Sequence, residues 1–141
     1  NSANQALDRI INFFPEERRD QLLMDVSLNL KGLVSQRLIP RQEGKGRIAA
    51  VEIMLNTPLM ADLIFKGQVG ELKELMKRSR ELGMQTFDQA LFDLFEAGEV
   101  SMEDALRNAD SVNDLRLQFK LNSQRARRRD LSEGTEHLTI V

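Results

Sequence analysis

The sequence contains no cysteine and a single histidine, His137. The absence of cysteine excludes disulfides and thiolate metal sites, and it is consistent with a reducing compartment. One histidine near the end of the chain argues against a histidine-based catalytic triad or a zinc cluster. The chemistry most often built from these two residue types is therefore not expected.

The chain also lacks a long apolar segment. No apolar run approaches the roughly 18 residues that span a bilayer, and the first residues show neither the basic nor the apolar region of a signal peptide. The formal net charge is −2, which gives no global reason to expect a nucleic acid or an anionic membrane as partner.

The length of 141 residues suits one compact domain or part of a larger protein. The ordinary hydrophobic fraction allows a real core. Because the sequence begins with Asn1 instead of methionine, we expect a processed product or a fragment of a longer protein, and we favour the fragment.

Two helices are predicted at the start of the chain. Ser2 and Gln5 make a capping box, and the apolar residues that follow have helical spacing: Leu7, Ile10, Ile11 and Phe14. Pro15 suits the start of a second helix, for which Gly32 is the predicted end. Its buried stripe is predicted to be Leu22, Val26, Leu30 and Leu33.

A β-hairpin is predicted next. LVSQRLIP roughly alternates, and RIAAVEIML is nearly all apolar, which suits a strand covered on both faces. The intervening RQEGKG contains Gly44-Lys45-Gly46, which could suggest a phosphate-binding loop. Such a loop needs a helix after it and usually a Ser or Thr after the lysine. Since a strand follows and the hydroxyl is missing, we interpret RQEGKG as a turn.

The chain from Asn56 to about Leu121 predicts short helices. Thr57 and Pro58 begin LMADLIF, and VGELKELMKRSREL is predicted to be a second helix. Its inward-facing residues are predicted to be Val69, Leu72, Leu75, Met76 and Leu82. Three capping-box pairs begin the others: Thr86 with Gln89, Ser101 with Asp104, and Ser111 with Asp114.

Several side chains in this half are candidates for partner contacts. Asp88, Asp93 and Glu96 lie away from the apolar stripe and are interpreted as a solvated helix face. Phe92 is also off the stripe and is predicted to face a partner. MEDALRNAD is too acidic for a DNA-recognition helix.

Residues 122–141 are predicted to be a flexible charged tail, because the apolar periodicity stops there. The tail carries a basic cluster that could contact nucleic acid, lipid headgroups or an acidic partner: Arg125, Arg127, Arg128 and Arg129. Acidic residues follow directly and no aromatic residue lies among the arginines, so a solvated tail of mixed charge is the favoured alternative.

Three stretches, ALDRIINFFP, QRLIPRQEGKGRIAAVEIMLNTP and GMQTFDQALFDLFEAGEVSMEDAL, together resemble the C-terminal part of the type IV pilus retraction ATPases. These are the PilT/PilU motors of twitching motility, and the chain is more similar to the PilU branch. The resemblance implies an α/β parent, a RecA-like P-loop NTPase of the secretion ATPase superfamily. This fragment would be mostly α, with one β-hairpin from the edge of the ATPase core.

The resemblance also implies an activity and partners. The parent would hydrolyse ATP with Mg²⁺ and drive or assist pilus retraction by coupling hydrolysis to pilin extraction. It would be a cytoplasmic homo-hexamer at the inner-membrane face of the pilus machine, with a paralogous retraction ATPase and the inner-membrane platform protein as partners and no nucleic acid. The family's nucleotide-contacting motifs precede this segment. No catalytic, cofactor-binding or metal residue is therefore assigned, and the fragment is expected to be inactive.

In the same resemblance, residues 1–56 would end the ATPase core, with two helices and the hairpin, and residues 57–121 would form the C-terminal helical domain. A family motif close to AIRNLIRE, linked to retraction, matches LMADLIFK. Both of its arginines are replaced, by Ala61 and Phe65. The candidate motor-coupling helix is Leu59, Met60, Ala61, Asp62, Leu63, Ile64, Phe65 and Lys66.

The residues considered without the resemblance support an alternative. They supply a hairpin and several helices without a catalytic site, as a free-standing helical protein-interaction module would. A GxxxxGK[ST] loop upstream of Asn1 in the parent gene would separate the two hypotheses.

Overall fold

A computed structural model describes residues 2–136, without the side chains of 133–136. His137 and the last residues of the predicted tail lie outside this range. The elements are α1 (Ala3–Asn12), α2 (Arg19–Asn29), β1 (Gly32–Pro40), β2 (Arg47–Leu55), α3 (Pro58–Phe65), α4 (Leu72–Lys77), α5 (Phe87–Glu96), α6 (Met102–Arg107), α7 (Val112–Asn122) and α8 (Gln124–Glu136). The prediction of a mostly helical chain with one hairpin is confirmed.

The strands β1 and β2 pair as a two-stranded sheet. One face of β2 is buried through Ala50, Glu52 and Met54, whereas the alternate residues are only partly buried. Ile53 on that second face makes an isolated antiparallel bridge with Gln85. The expectation that β2 is covered on both faces is therefore wrong, because one face alone packs completely against a core.

The described residues group into two units by their contacts, 2–36 with 51–87 and 37–50 with 88–136. Each strand of the hairpin contributes residues to both units. The predicted division of the parent at residue 57 stays a prediction.

The first unit begins with the predicted capping box. The Ser2 side chain accepts from the Gln5 backbone N–H, and the Gln5 side chain accepts from the Ser2 backbone N–H. Leu7 is buried and Ile11 packs partly against the core, as predicted. Ile10 and Phe14 are exposed, unlike the prediction, because the inward side is that of Ala3, Leu7 and Ile11, and because Phe14 lies beyond the end of α1 at Asn12. The core of this unit is Ala3, Leu7, Met54, Met60, Ile64, Val69, Leu72, Met76 and Met84.

The second helix ends at Asn29 and not at Gly32. The amide of Asn56 donates to the carbonyls of Ser27 and Leu30, at 3.0 and 2.7 Å, so the helix end is satisfied from outside. Gly32 instead begins β1, where a Cβ would lie 2.8 Å from the Met54 carbonyl oxygen. Glycine is needed there for close backbone approach.

The segment VGELKELMKRSREL is not one helix. It forms a 3₁₀ turn (Val69–Glu71), then α4, then a second 3₁₀ turn (Arg80–Leu82), and Leu82 is exposed. The Ser79 hydroxyl donates to the Leu75 carbonyl at 2.6 Å, a contact that bends helices. Gly70 in the first turn also disfavours a regular helix.

In the second unit, three phenylalanine rings pack together. The Phe119 ring centroid lies 4.7 Å from that of Phe95 and 5.7 Å from that of Phe92. The prediction that Phe92 faces a partner is therefore wrong. The predicted caps are confirmed at Ser101 and Ser111, whose side chains accept from the N–H groups three residues later.

The predicted flexible tail is wrong over residues 124–136, which form α8. The Glu96 carboxylate accepts from the N–H groups of Gln124 and Arg125, at 3.2 and 3.4 Å. The Arg125 guanidinium donates to the carbonyls of Phe95 and Val100, at 2.6 and 3.0 Å, and lies 4.4 Å from the Phe95 ring centroid. These polar contacts hold α8 where an apolar stripe is missing.

The interpretation of Asp88 and Glu96 as solvated is also wrong. Asp88 accepts from the N–H groups of Asp110 and Ser111, at 2.8 and 3.1 Å, where α7 begins. Each carboxylate therefore caps a later helix at its positive end. Asp93 is exposed, as expected. Within residues 2–136, no helix is long and apolar enough to cross a membrane.

Candidate functional site

The predicted coupling helix is α3. Thr57 precedes it with extended backbone and accepts from the Met60 N–H at 3.3 Å, and Pro58 occupies its first turn. Lys66 directly follows the helix and pairs with Asp62 at 2.9 Å. The helix is thus encoded locally, by a cap, a proline and a pair at helical spacing.

The eight candidate residues do not share one environment. Met60 and Ile64 are fully buried in the core of the first unit, and Leu63 packs partly against it. Leu59 and Phe65 are 65% and 50% exposed. The helix therefore has one face fixed to the core and another available for contact.

A groove of about 400 Å³ runs beside α3. Its lining is Leu59, Asp62, Leu63, Glu71, Glu74, Leu75 and Arg78. Three leucines provide its apolar part, and three carboxylates and one guanidinium provide its polar part. This composition suits the binding of a protein segment more than chemistry on a small substrate.

The charged groups of the groove are exposed. Asp62 pairs with Lys66, four residues later, and Glu74 pairs with Lys77, three residues later and 3.1 Å away. Each pair therefore joins neighbours at helical spacing. Exposed pairs of this kind contribute about 0.3–0.5 kcal/mol each to stability. Their charges are consequently available to tune recognition without being needed for the fold.

The residue pattern indicated the helix α3 but not the groove beside it. Leu75 was expected on an inward stripe, whereas Glu71, Glu74 and Arg78 were not singled out. The groove forms where the segment after α3 breaks into a 3₁₀ turn and α4. Gly70 was the one local signal of that break.

The Gly44-Lys45-Gly46 segment is a turn, as predicted. Gly44 and Gly46 have φ values of +82° and +102°, and β2 begins directly at Arg47. The Gly46 carbonyl accepts from the Arg41 N–H at 3.1 Å, which closes the loop. No helix N-terminus follows the glycines, so the geometry of a phosphate loop is missing at this position.

The basic cluster of the predicted tail is divided by α8. Arg125 is held by Phe95 and Val100, whereas Arg127 and Arg128 are exposed. The Arg129 guanidinium lies 3.8 Å from the Glu103 carboxylate. The four arginines therefore do not act as one site. No group of three or more His, Cys, Asp or Glu side chains in the described part of the chain could hold a metal ion.

The chain is similar to known type IV pilus ATPases in sequence and in structure. The type IV pilus ATPase PilU of Pseudomonas aeruginosa is 64% identical over 124 residues, 88% of this chain and 32% of that protein. The type IV pilus retraction ATPase PilT of the same organism is 36% identical over 108 residues, 77% of this chain and 31% of that protein. The crystal structure of the pilus retraction motor PilT with bound ADP matches with a TM-score of 0.71 and 29% identity, covering 81% of this chain and 31% of that one. No protein-family model matches the sequence.

The fold is thus that of a segment from a RecA-like secretion ATPase. More particularly, the chain belongs to the PilT/PilU family of type IV pilus ATPases, and its identity to PilU exceeds its identity to PilT. It spans about a third of the length of these relatives. The resemblance inferred from the sequence is confirmed.

Proposed function

We propose that this chain is the C-terminal part of a hexameric ATPase motor that drives or assists type IV pilus retraction. The observation that carries the proposal is the 64% identity to PilU over 88% of the chain. In that parent, ATP hydrolysis is coupled to pilin extraction at the cytoplasmic face of the inner membrane. Residues 1–56 end the RecA-like core, and the helices after residue 57 form the helical domain.

ATP and Mg²⁺ are bound by the parent outside residues 1–141. The sequence contains no GxxxxGK[ST] loop, and its one Gly-Lys pair lies in the hairpin turn. The backbone N–H groups, lysine and hydroxyl that hold nucleotide phosphates and magnesium are supplied by such a loop. This segment therefore contributes to the motor through movement and contacts, and not through chemistry on the nucleotide.

The helix α3 is proposed to transmit that movement. Met60 and Ile64 are fully buried, so the helix moves with the core of the first unit. Leu59 and the acidic side chains of the groove are exposed and free of the core. The groove would contact a neighbouring subunit, a paralogous retraction ATPase or the inner-membrane platform protein.

The test is ATP turnover by the complete parent polypeptide, measured beside this 141-residue chain under identical conditions. We expect turnover in the parent and none in the chain alone. Absence of turnover in both would favour a helical interaction module with the same fold. A second measurement, retraction in cells that carry the parent with and without this segment, separates a motor role from hydrolysis alone.

A further inference from the structure

The exposed sides of helices α7 and α8 carry leucines and cations. On α7, Leu115 and Phe119 are buried, and Leu117, Lys120 and Leu121 occupy the opposite side at helical spacing. Leu117 and Leu121 are 52% and 54% exposed. We call the surface formed by Arg116, Leu117, Lys120, Leu121, Arg127 and Arg128 the α7–α8 face.

The two helices are joined at this face. The Arg127 guanidinium donates to the Leu121 carbonyl at 2.7 Å, where α7 ends and α8 begins. On α8, Ala126 is buried, so Arg128 and the 70% exposed Leu131 point away from it. The exposed side of α8 therefore carries basic residues that follow the leucine and lysine surface of α7 in the sequence, and Arg127 connects the two helices.

The charge of this surface opposes the charge of the whole chain. Its four basic residues are all exposed, whereas the sequence carries a formal net charge of −2. In the sequence, Asp114 lies two residues before Arg116 and Asp130 two residues after Arg128, and Glu103 lies 3.8 Å from Arg129. The positive charge is consequently local, and overall composition gives no sign of it.

We propose that the α7–α8 face binds the surface of an anionic phospholipid bilayer. Binding at a bilayer interface combines burial of exposed apolar side chains with attraction of cations to anionic lipids, and these helices expose both kinds of side chain. The long basic side chains reach the headgroup phosphates while the leucines enter the acyl boundary.

The sequence contains no tryptophan, so one introduced tryptophan gives a fluorescence signal from a single known position. Leu121→Trp places a single fluorophore on the face, and Leu28→Trp places one on an exposed position of α2. Vesicles of phosphatidylcholine that contain about 30% phosphatidylglycerol should shift the Leu121→Trp emission to the blue. Vesicles of pure phosphatidylcholine should leave the Leu121→Trp emission unchanged, and neither vesicle type should shift the Leu28→Trp emission. Higher salt should weaken the shift of Leu121→Trp.

Neutralising two cations tests the charges. In the Leu121→Trp background, Lys120→Gln with Arg128→Gln should weaken binding about 30-fold, from about 1 kcal/mol for each cation near an anionic surface. The control, Lys31→Gln with Lys45→Gln, removes the same charge outside the α7–α8 face. It should weaken binding to the anionic vesicles less than about threefold. Circular dichroism confirms that each variant is folded. Equal affinity for both vesicle types, equal losses in the two double variants, or no binding to anionic vesicles would each overturn the proposal.

Discussion

The carboxylate of Glu52 on β2 accepts a hydrogen bond from the backbone N–H of Phe87, the first residue of α5, with 3.1 Å between Oε2 and N. Its other oxygen, Oε1, accepts from the backbone N–H of Ala3, the first residue of α1, at 2.8 Å. Glu52 is completely buried. One strand carboxylate therefore satisfies the first N–H group of α1 and the first N–H group of α5.

Glu52→Gln should destabilise the chain by about 2–3 kcal/mol. The amide keeps one acceptor oxygen but turns an NH₂ group toward a buried backbone N–H, so one charge-assisted hydrogen bond is lost and a donor is left unsatisfied. Urea denaturation gives the free energy of unfolding. Glu103→Gln, at an exposed carboxylate 3.8 Å from Arg129, is the control and should cost less than about 0.5 kcal/mol. Equal effects would show that the buried contacts contribute nothing specific.

Arg125 should be required for α8. Arg125→Ala removes the donor to the Phe95 and Val100 carbonyls and leaves these carbonyls in a partly buried site. We expect a loss of about 1–3 kcal/mol and faster proteolysis within α8, because an isolated helix of this length is marginal in water. The exposed Arg128→Ala should change neither property. Hydrogen exchange of the α8 amides is the direct measurement, and unchanged protection in Arg125→Ala would contradict the assignment.

The hairpin turn yields a prediction that separates structure from catalysis. Gly46→Ala should cost about 1 kcal/mol of stability, because φ at this residue is +102°. Gly70→Ala, where φ is not positive and a Cβ would meet no atom within 4 Å, is the matched control and should be close to neutral. Lys45→Ala in the complete parent should leave ATP turnover within about twofold of wild type. A loss of several orders of magnitude would restore the phosphate-loop hypothesis.

The coupling role of α3 can be separated from its packing. Leu59→Asp changes an exposed side chain of the groove and should alter stability by less than about 1 kcal/mol while reducing retraction. Leu63→Asp places a charge against the core and should cost about 3 kcal/mol or more. Retraction and ATP turnover are measured together in the parent.

The control for this pair is Leu82→Asp, at an exposed leucine that does not line the groove. It should leave both retraction and turnover unchanged. If Leu59→Asp also leaves retraction unchanged, the groove is not a coupling surface. If Leu63→Asp leaves both activities and stability unchanged, the placement of α3 against the core is wrong.

Much of the fold was predictable because its signals are short in range. The Ser2 and Thr57 caps, Pro58, and the two apolar strands around RQEGKG lie within a few residues of the elements that they define. The helix α3, which forms one side of the groove, was predictable for the same reason. The groove itself was not, because it depends on where the segment after α3 breaks.

The errors share a different cause. Residues 124–136 lack an apolar stripe, and their helix is held by Glu96 and Arg125 contacts that join residues far apart in sequence. Phe92 was misjudged because its packing partner, Phe119, lies on another helix. Periodicity within one segment carries no information about either contact.

Local sequence alone was enough to specify the caps, the turn and most helix and strand positions, since hydrogen bonds and backbone preferences act between neighbours. Tertiary structure alone decided that Glu52 would hold two helix starts, that residues 124–136 would form α8, and that Arg127 of α8 would contact the end of α7. Those outcomes depend on burial and on long-range polar contacts, whose free energy exists only once distant segments have come together.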